Sequence, residues 1–227
     1  MAYDELLNEL KACSEDNFAE FQKRLIPTKQ EILGVRTPIL RLIAQRYRGK
    51  MDSLIGYPDT YYEVTFIKLA VLSLSDYDTF LKYIDICVGM IDNWATCDMF
   101  KPKCLHKHKE DFLPHLERLF SNGGEFYERY VLVTLLGYYV EEKYLPLIKE
   151  YVEKADTSRY YVYMAVAWLV AEIIIKYPDF GKGILRFRVL DEKTHNKAIQ
   201  KARESYRLNK VEKEYLNSLK IKKENKK

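Results

Sequence analysis

Apolar residues in this chain recur at intervals of three and four through almost every long segment, and that period restricts it to a fold of packed helices. Nine glycines and seven prolines leave little material for the many tight turns of an all-β fold. Apolar residues make up 48% of the chain and nineteen residues are tyrosine, enough for a substantial core at this length of 227 residues.

Individual helices can be read from their ends. Thr37-Pro38 followed by Ile39, Leu40, Leu42, Ile43 and Tyr47 has the form of a cap, an N-terminal proline and an apolar face. Further helices are expected over Val64 to Leu72 and Phe80 to Ile91, with Asn93 capping the next. Phe112 to Phe120 is periodic and stops at the breaker Ser121-Asn-Gly-Gly124. Phe126 to Val140 and Tyr144 to Val152 form a pair across Glu141-Glu142-Lys143. Asp156-Thr157-Ser158 is expected to cap the longest apolar segment, Tyr160 to Tyr177, which Pro178 ends. Asp191 to Tyr206 is the last convincing helix.

Helix after helix with short links, at roughly two helices per 35–45 residues, predicts an all-α fold: an α-solenoid of HEAT-like repeats with a concave binding surface. A plain helical bundle is the alternative. A single domain is expected over residues 1–220, with a basic C-terminal tail over 221–227.

The formal net charge of +4 permits a polyanionic partner without demanding one, because the sign of a local patch matters more than the sum. Basic residues cluster at Arg41, Arg46, Arg48 and Lys50, at Lys101, Lys103, Lys107 and Lys109, and from Lys197 to Lys227. The last of these reads first as a solvated face. The middle cluster has the composition to hold phosphates. Cys13, Cys87, Cys97 and Cys104 form no CxxC pair and no secretory framework, no leader opens the chain, and no apolar run is long enough to span a bilayer. The expectation is a reduced, cytoplasmic protein away from the membrane. Cys104-Leu-His106-Lys-His108 collects metal-ligand types, but alternate spacing on a helix points them apart and no second pair follows, so no metal or other cofactor is expected.

Trp94 and Asp98 stand four residues apart in Ile91-Asp-Asn-Trp-Ala-Thr-Cys-Asp98, one turn apart on a helix face. An aromatic wall beside a carboxylate suits a site where positive charge is recognised or stabilised. The same pair also fits ordinary architecture, with the indole in the core and the carboxylate at a helix start or paired with Lys101. Arg129 heads an otherwise apolar helix, where it can meet a ligand, cap a neighbouring helix or pair with Glu125 or Glu128. Trp168 lies in the longest apolar helix, among Val166, Leu169, Val170 and Ile173, where core packing is the competing role.

Taken in order, Leu33-Gly-Val-Arg-Thr-Pro38, Asn93-Trp94 to Asp98, Arg129 and Trp168 make the chain resemble the bacterial HEAT-like-repeat DNA alkylation repair proteins, the AlkD-type DNA glycosylases. The resemblance runs over nearly the whole chain. It implies that Asp98 is the catalytic aspartate with Trp94 beside it, that Arg129 holds the DNA backbone at the lesion, and that Trp168 lines the cleft. An early aromatic position of the family, often tyrosine, falls at Phe21, which lacks the hydroxyl. Ala95 stands where relatives often carry an acidic residue, which leaves Asp98 as the carboxylate of the motif and bears on substrate range.

The function implied is excision of cationic N3- and N7-alkylated purines from duplex DNA by hydrolysis of the N-glycosidic bond. Asp98 and Trp94 are the expected catalytic residues, and Arg129, Trp168, Lys101, Lys103 and Lys107 the expected DNA-binding ones. The expected partner is double-stranded DNA containing alkylated bases, met by a monomer with no obligate protein partner. A non-catalytic relative that binds distorted or branched DNA is the alternative within the family, and a protein-interaction solenoid the alternative outside it.

Overall fold

The computed structural model of the protein describes residues 3–222, so Lys223 to Lys227 of the expected basic tail lie outside the described residues. Among the described residues the regular structure is entirely helical, and extended pairing is confined to two isolated bridges, Ser14 with Val35 and Glu31 with Tyr61. Contacts divide the chain into two compact units, Met1–Leu119 and Phe120–Lys227.

The first unit holds α1 (Tyr3–Ala12), α2 (Asp16–Leu25), α3 (Thr37–Arg46), the short α4 (Met51–Leu54), α5 (Tyr62–Ser73), α6 (Tyr77–Gly89), α7 (Trp94–Met99), a 3₁₀ turn at Lys103–His106, and α8 (Lys109–Phe120), which ends at the boundary. Its centre is α5. Every residue from Tyr62 to Ser73 is buried, because α3, α4, α6 and α7 all pack on it. A helix covered on all sides has no polar face, so two charged residues must lie inside. Lys68 is answered by the Asp59 carboxylate at 2.8 Å and by the Tyr57 and Ile55 carbonyls. Glu63 accepts the backbone N–H groups of Leu33, Gly34 and Val35 at 3.1, 2.8 and 3.3 Å. Burial pushes its carboxyl above the usual range, and those three donors oppose the rise.

The second unit holds α9 (Glu125–Thr134), which runs on through a π turn at Leu135–Tyr139, then a 3₁₀ turn at Glu142–Tyr144, α10 (Leu145–Lys154), α11 (Tyr160–Lys176), α12 (Pro178–Arg186), α13 (Glu192–Glu204) and α14 (Lys210–Ser218). Here α11 is central, packed by α9, α12 and α13. The approach of α12 is close at Gly181, where a Cβ would come within 2.5 Å of the Ile174 Cα.

Several helix ends differ from expectation for local reasons. Asn93 caps α7 as expected, its Oδ1 accepting the Thr96 N–H at 3.0 Å. Thr37 does not cap α3 but is its first residue, and Arg36 occupies the cap position with no side-chain bond to the helix N-terminus. The α11 cap comes from elsewhere as well: Asp156 accepts from the Ser158 N–H, while the Tyr161 N–H donates to Glu125 on α9 at 2.8 Å. Pro178 ends α11 and also opens α12, since a proline in the first turn loses no hydrogen bond. Beyond α13, the further helix α14 is held at its start by a reciprocal capping box of Asn209 and Glu212.

Candidate DNA-facing residues

The start of α7 is fixed by residues more than sixty positions away. Asp92 accepts the Thr28 hydroxyl and the Lys29 N–H, the latter at 2.8 Å, and also the Asn93 side-chain amide at 2.8 Å. Asn93 is fully buried and caps the helix, so Trp94 is set at its first position. The indole N–H then donates to the carbonyl of Leu25, the last residue of α2, at 3.0 Å. With its polar edge occupied, the ring stays 38% exposed. An indole that is anchored yet uncovered is not a core residue.

Asp98 lies one turn further along α7 and is half-buried. It occupies the last turn of its own helix, not the start, so the cap role on α7 belongs to Asn93. The end of a helix carries partial negative charge, so the dipole of α7 does not offset the charge of this carboxylate. A cation beside it would be stabilised by both.

Phe21 and Leu25 share a face of α2 and are exposed, Phe21 at 56%. Phe21 stacks on Phe18 at 6.2 Å, and the Arg36 guanidinium lies 4.1 Å over the Phe18 ring. Because the Trp94 indole is tied to Leu25, this apolar face and the α7 motif belong to one locality. The Leu33-Gly-Val-Arg-Thr-Pro38 segment has a different role. Gly34 has φ +85°, and a Cβ there would come within 2.5 Å of the Glu15 carbonyl oxygen. Arg36 closes the junction on Glu15 with two bonds of 3.0 and 2.7 Å. This motif builds the frame between α1, α2 and α3 and presents no reactive group.

Lys101, Lys103 and Lys107 follow α7 and are exposed. Lys103 and Lys107 line a groove of about 580 Å³ with Arg48, Asp52, Asp76, Tyr77 and Cys104, whereas Lys101 lines neither this groove nor the smaller one beside it. Of the suspected metal-ligand types, His108 is stacked flat on Tyr77 at 4.2 Å with its Nδ1 on Asp111 at 3.0 Å. Burial pushes the Cys104 thiol up to about 11. Among the described residues no three His, Cys, Asp or Glu side chains come together to hold a metal.

In the second unit Arg129 is buried, 6% exposed, on α9. Its guanidinium donates to the Tyr161 carbonyl at 2.8 Å and lies 5.8 Å from the Tyr161 ring centre. The neighbouring acids also serve the backbone: Glu125 caps α11, and Glu128 accepts the Asp156 N–H at 2.8 Å and faces Arg159. Trp168 departs from its apolar neighbours. Val166, Ala167, Leu169 and Val170 are buried, while Trp168 is 37% exposed. Tyr161, Met164 and Trp168 follow one another at three and four residues on a partly uncovered side of α11 that Glu172 and Ile175 continue, and Arg129 is bonded at its N-terminal end. The carbonyl anchors of Trp94 and Arg129 were not foreseeable, because a backbone acceptor leaves no mark in the sequence.

Among the described residues no helix is long and apolar enough to cross a membrane. A search of curated proteins finds no match to the chain. A family model described as DNA alkylation repair enzyme matches residues 6–185, from α1 into α12, and so takes in Trp94, Asp98, Arg129 and Trp168. With its helical frame and most of its length inside that match, the chain belongs to the DNA alkylation repair enzyme family.

Proposed function

We propose that the protein is a DNA glycosylase that excises cationic N3- and N7-alkylated purines from duplex DNA. The observation that carries this reading is the exposed Trp94 indole, held by its N–H on the Leu25 carbonyl, one turn from Asp98. Alkylation at N3 or N7 places a positive charge on the purine and weakens its bond to C1′. The base takes the bonding electrons and leaves neutral, so no general acid is required. Positive charge develops on the deoxyribose, and water adds to C1′ with loss of a proton. Asp98 stabilises that charge and orients the water or accepts its proton. The π face of Trp94 attracts the same charge, and Trp168 is a DNA-binding residue in this reading.

Arg129 and the lysines after α7 hold phosphates of the same duplex in this reading, and the chain acts as a monomeric HEAT-like solenoid. The lesion rests against an open surface, so most selectivity comes from the lability of the alkylated base and not from a base-reading pocket. Incubation with duplex DNA containing 7-methylguanine is expected to release the free base. Binding without release would leave a non-catalytic DNA-binding protein as the better account.

A further inference from the structure

We propose that the first unit carries a strand track leading away from Asp98, formed by Arg41, Lys103, Arg48 and Lys107, which binds consecutive phosphates of one DNA strand. The proposal rests on DNA being the substrate and adds where a strand runs on this unit. Two grooves carry it. One, of about 250 Å³, is lined by Arg41, Ala44, Ala70, Leu74, Met99 and Lys103 among others, and Met99 directly follows Asp98. The other, of about 580 Å³, has Arg48, Lys103 and Lys107 on its walls. Leu74 and Lys103 line both, so the two are continuous.

The cations of this track differ from six others in the unit, and Lys11, Arg24, Lys29, Lys50 and Lys101, which are equally outside the ion pairs, line neither groove. Lys23, Arg36, Arg46, Lys68, Lys82 and Arg118 are each held by a carboxylate. The side chains of Arg41, Arg48, Lys103 and Lys107 take part in no ion pair among the described residues, so a phosphate displaces no existing partner. The smaller groove contains no acid. The two acids of the larger one are occupied. Asp52 accepts from Lys82 and Tyr83, and Asp76 caps α6 through the Thr79 N–H at 2.8 Å. Both carboxylates are held below their usual range, Asp52 by the Lys82 bond first and Asp76 by the Thr79 N–H first, so they remain charged but locally answered. Apolar floor residues between cationic walls suit the sugar and phosphate of a strand without reading its bases.

The test is salt-dependent binding of the full chain to a fluorescein-labelled duplex carrying no lesion, followed by anisotropy. Arg41→Gln, Arg48→Gln, Lys103→Gln and Lys107→Gln should each lower the slope of log affinity against log salt by about 0.9, and the quadruple variant by about three to four. Lys23→Gln and Lys149→Gln, which remove cations already paired with Glu20 and Glu153, should leave the slope unchanged. Unchanged thermal melts are expected, since all four track residues are exposed. A wild-type chain that binds while the quadruple variant keeps its slope overturns the track and leaves the glycosylase reading standing. No binding by the wild type, even at low salt, removes both.

Discussion

Trp94 and Trp168 show how a residue type can mislead and its surroundings correct it. Trp168 sits among buried neighbours and Trp94 beside the buried Asn93, Thr96 and Cys97, and the sequence offers core packing as a full alternative for each. The structure leaves both more than a third exposed, and it ties the Trp94 indole to a carbonyl it could reach only in the folded chain. Replacing a buried aromatic with alanine costs about 3–5 kcal/mol. Trp94→Ala and Trp168→Ala should each cost about 1–2 kcal/mol instead, because much of each ring is already in water. On the proposed function, base release by the folded variants should fall. Thermal melts beside single-turnover assays check both halves. A melt shift of the core size with activity intact would return these residues to architecture.

At the scale of elements, the frame depends on groups far apart in sequence. Gly34 is the sharpest case: φ +85° and backbone atoms of Glu15 and Ala19 at 2.5 and 2.6 Å from a Cβ leave no room for alanine. Gly34→Ala should cost about 1–3 kcal/mol from the backbone conformation alone, with the clash added, and denaturant melts would measure it. A second element test uses pH. Arg207 grips Glu172 on α11 with bonds of 2.8 and 2.5 Å, and the bond holds the Glu172 carboxyl below its usual value. A depressed carboxylate contributes stability that is present above its unfolded pKa, about 4.3, and is lost as pH falls through the folded one. Arg207→Gln should therefore be less stable than wild type at neutral pH by about 0.2–1 kcal/mol, and the two melts should converge as pH falls through the lowered pKa of the folded Glu172 carboxyl. A gap that persists in acid would refute the coupling.

The same distinction between local and distant determinants decides what could be read in advance. α5, α6, α8 and α11 were legible because apolar period and breakers are local signals, and the Asn93 cap because its acceptor lies three residues from its donor. α14 has a weak apolar period because it buries little apolar surface, although Asn209 and Glu212 carry a capping signature. For α11 the expected local cap is replaced by Glu125 of α9, thirty-six residues away. Trp94, Asp98, Arg129 and Trp168 could be named through resemblance, whereas Glu63 under the Leu33 to Pro38 junction could not. A buried glutamate in an apolar run gives no hint that three distant N–H groups await it.

At the scale of the whole molecule, the chain belongs to a DNA alkylation repair enzyme family, and the glycosylase mechanism proposed for it uses no general acid, which limits what it could release. If the leaving group must already be cationic, a neutral lesion such as 8-oxoguanine should stay in the duplex under conditions that free 7-methylguanine. Release of both at similar rates would demand an acid that this account does not contain. In the proposed mechanism the Asp98 charge stabilises the sugar as the bond breaks. The most direct measurement of that role is single-turnover release of 7-methylguanine from duplex DNA by wild type and Asp98→Asn, with DNA affinity measured in parallel. A rate lower by about 10²–10³ is expected in the variant, with affinity and melting temperature held. An Asp98→Asn chain that releases the base as fast as wild type would contradict the mechanism.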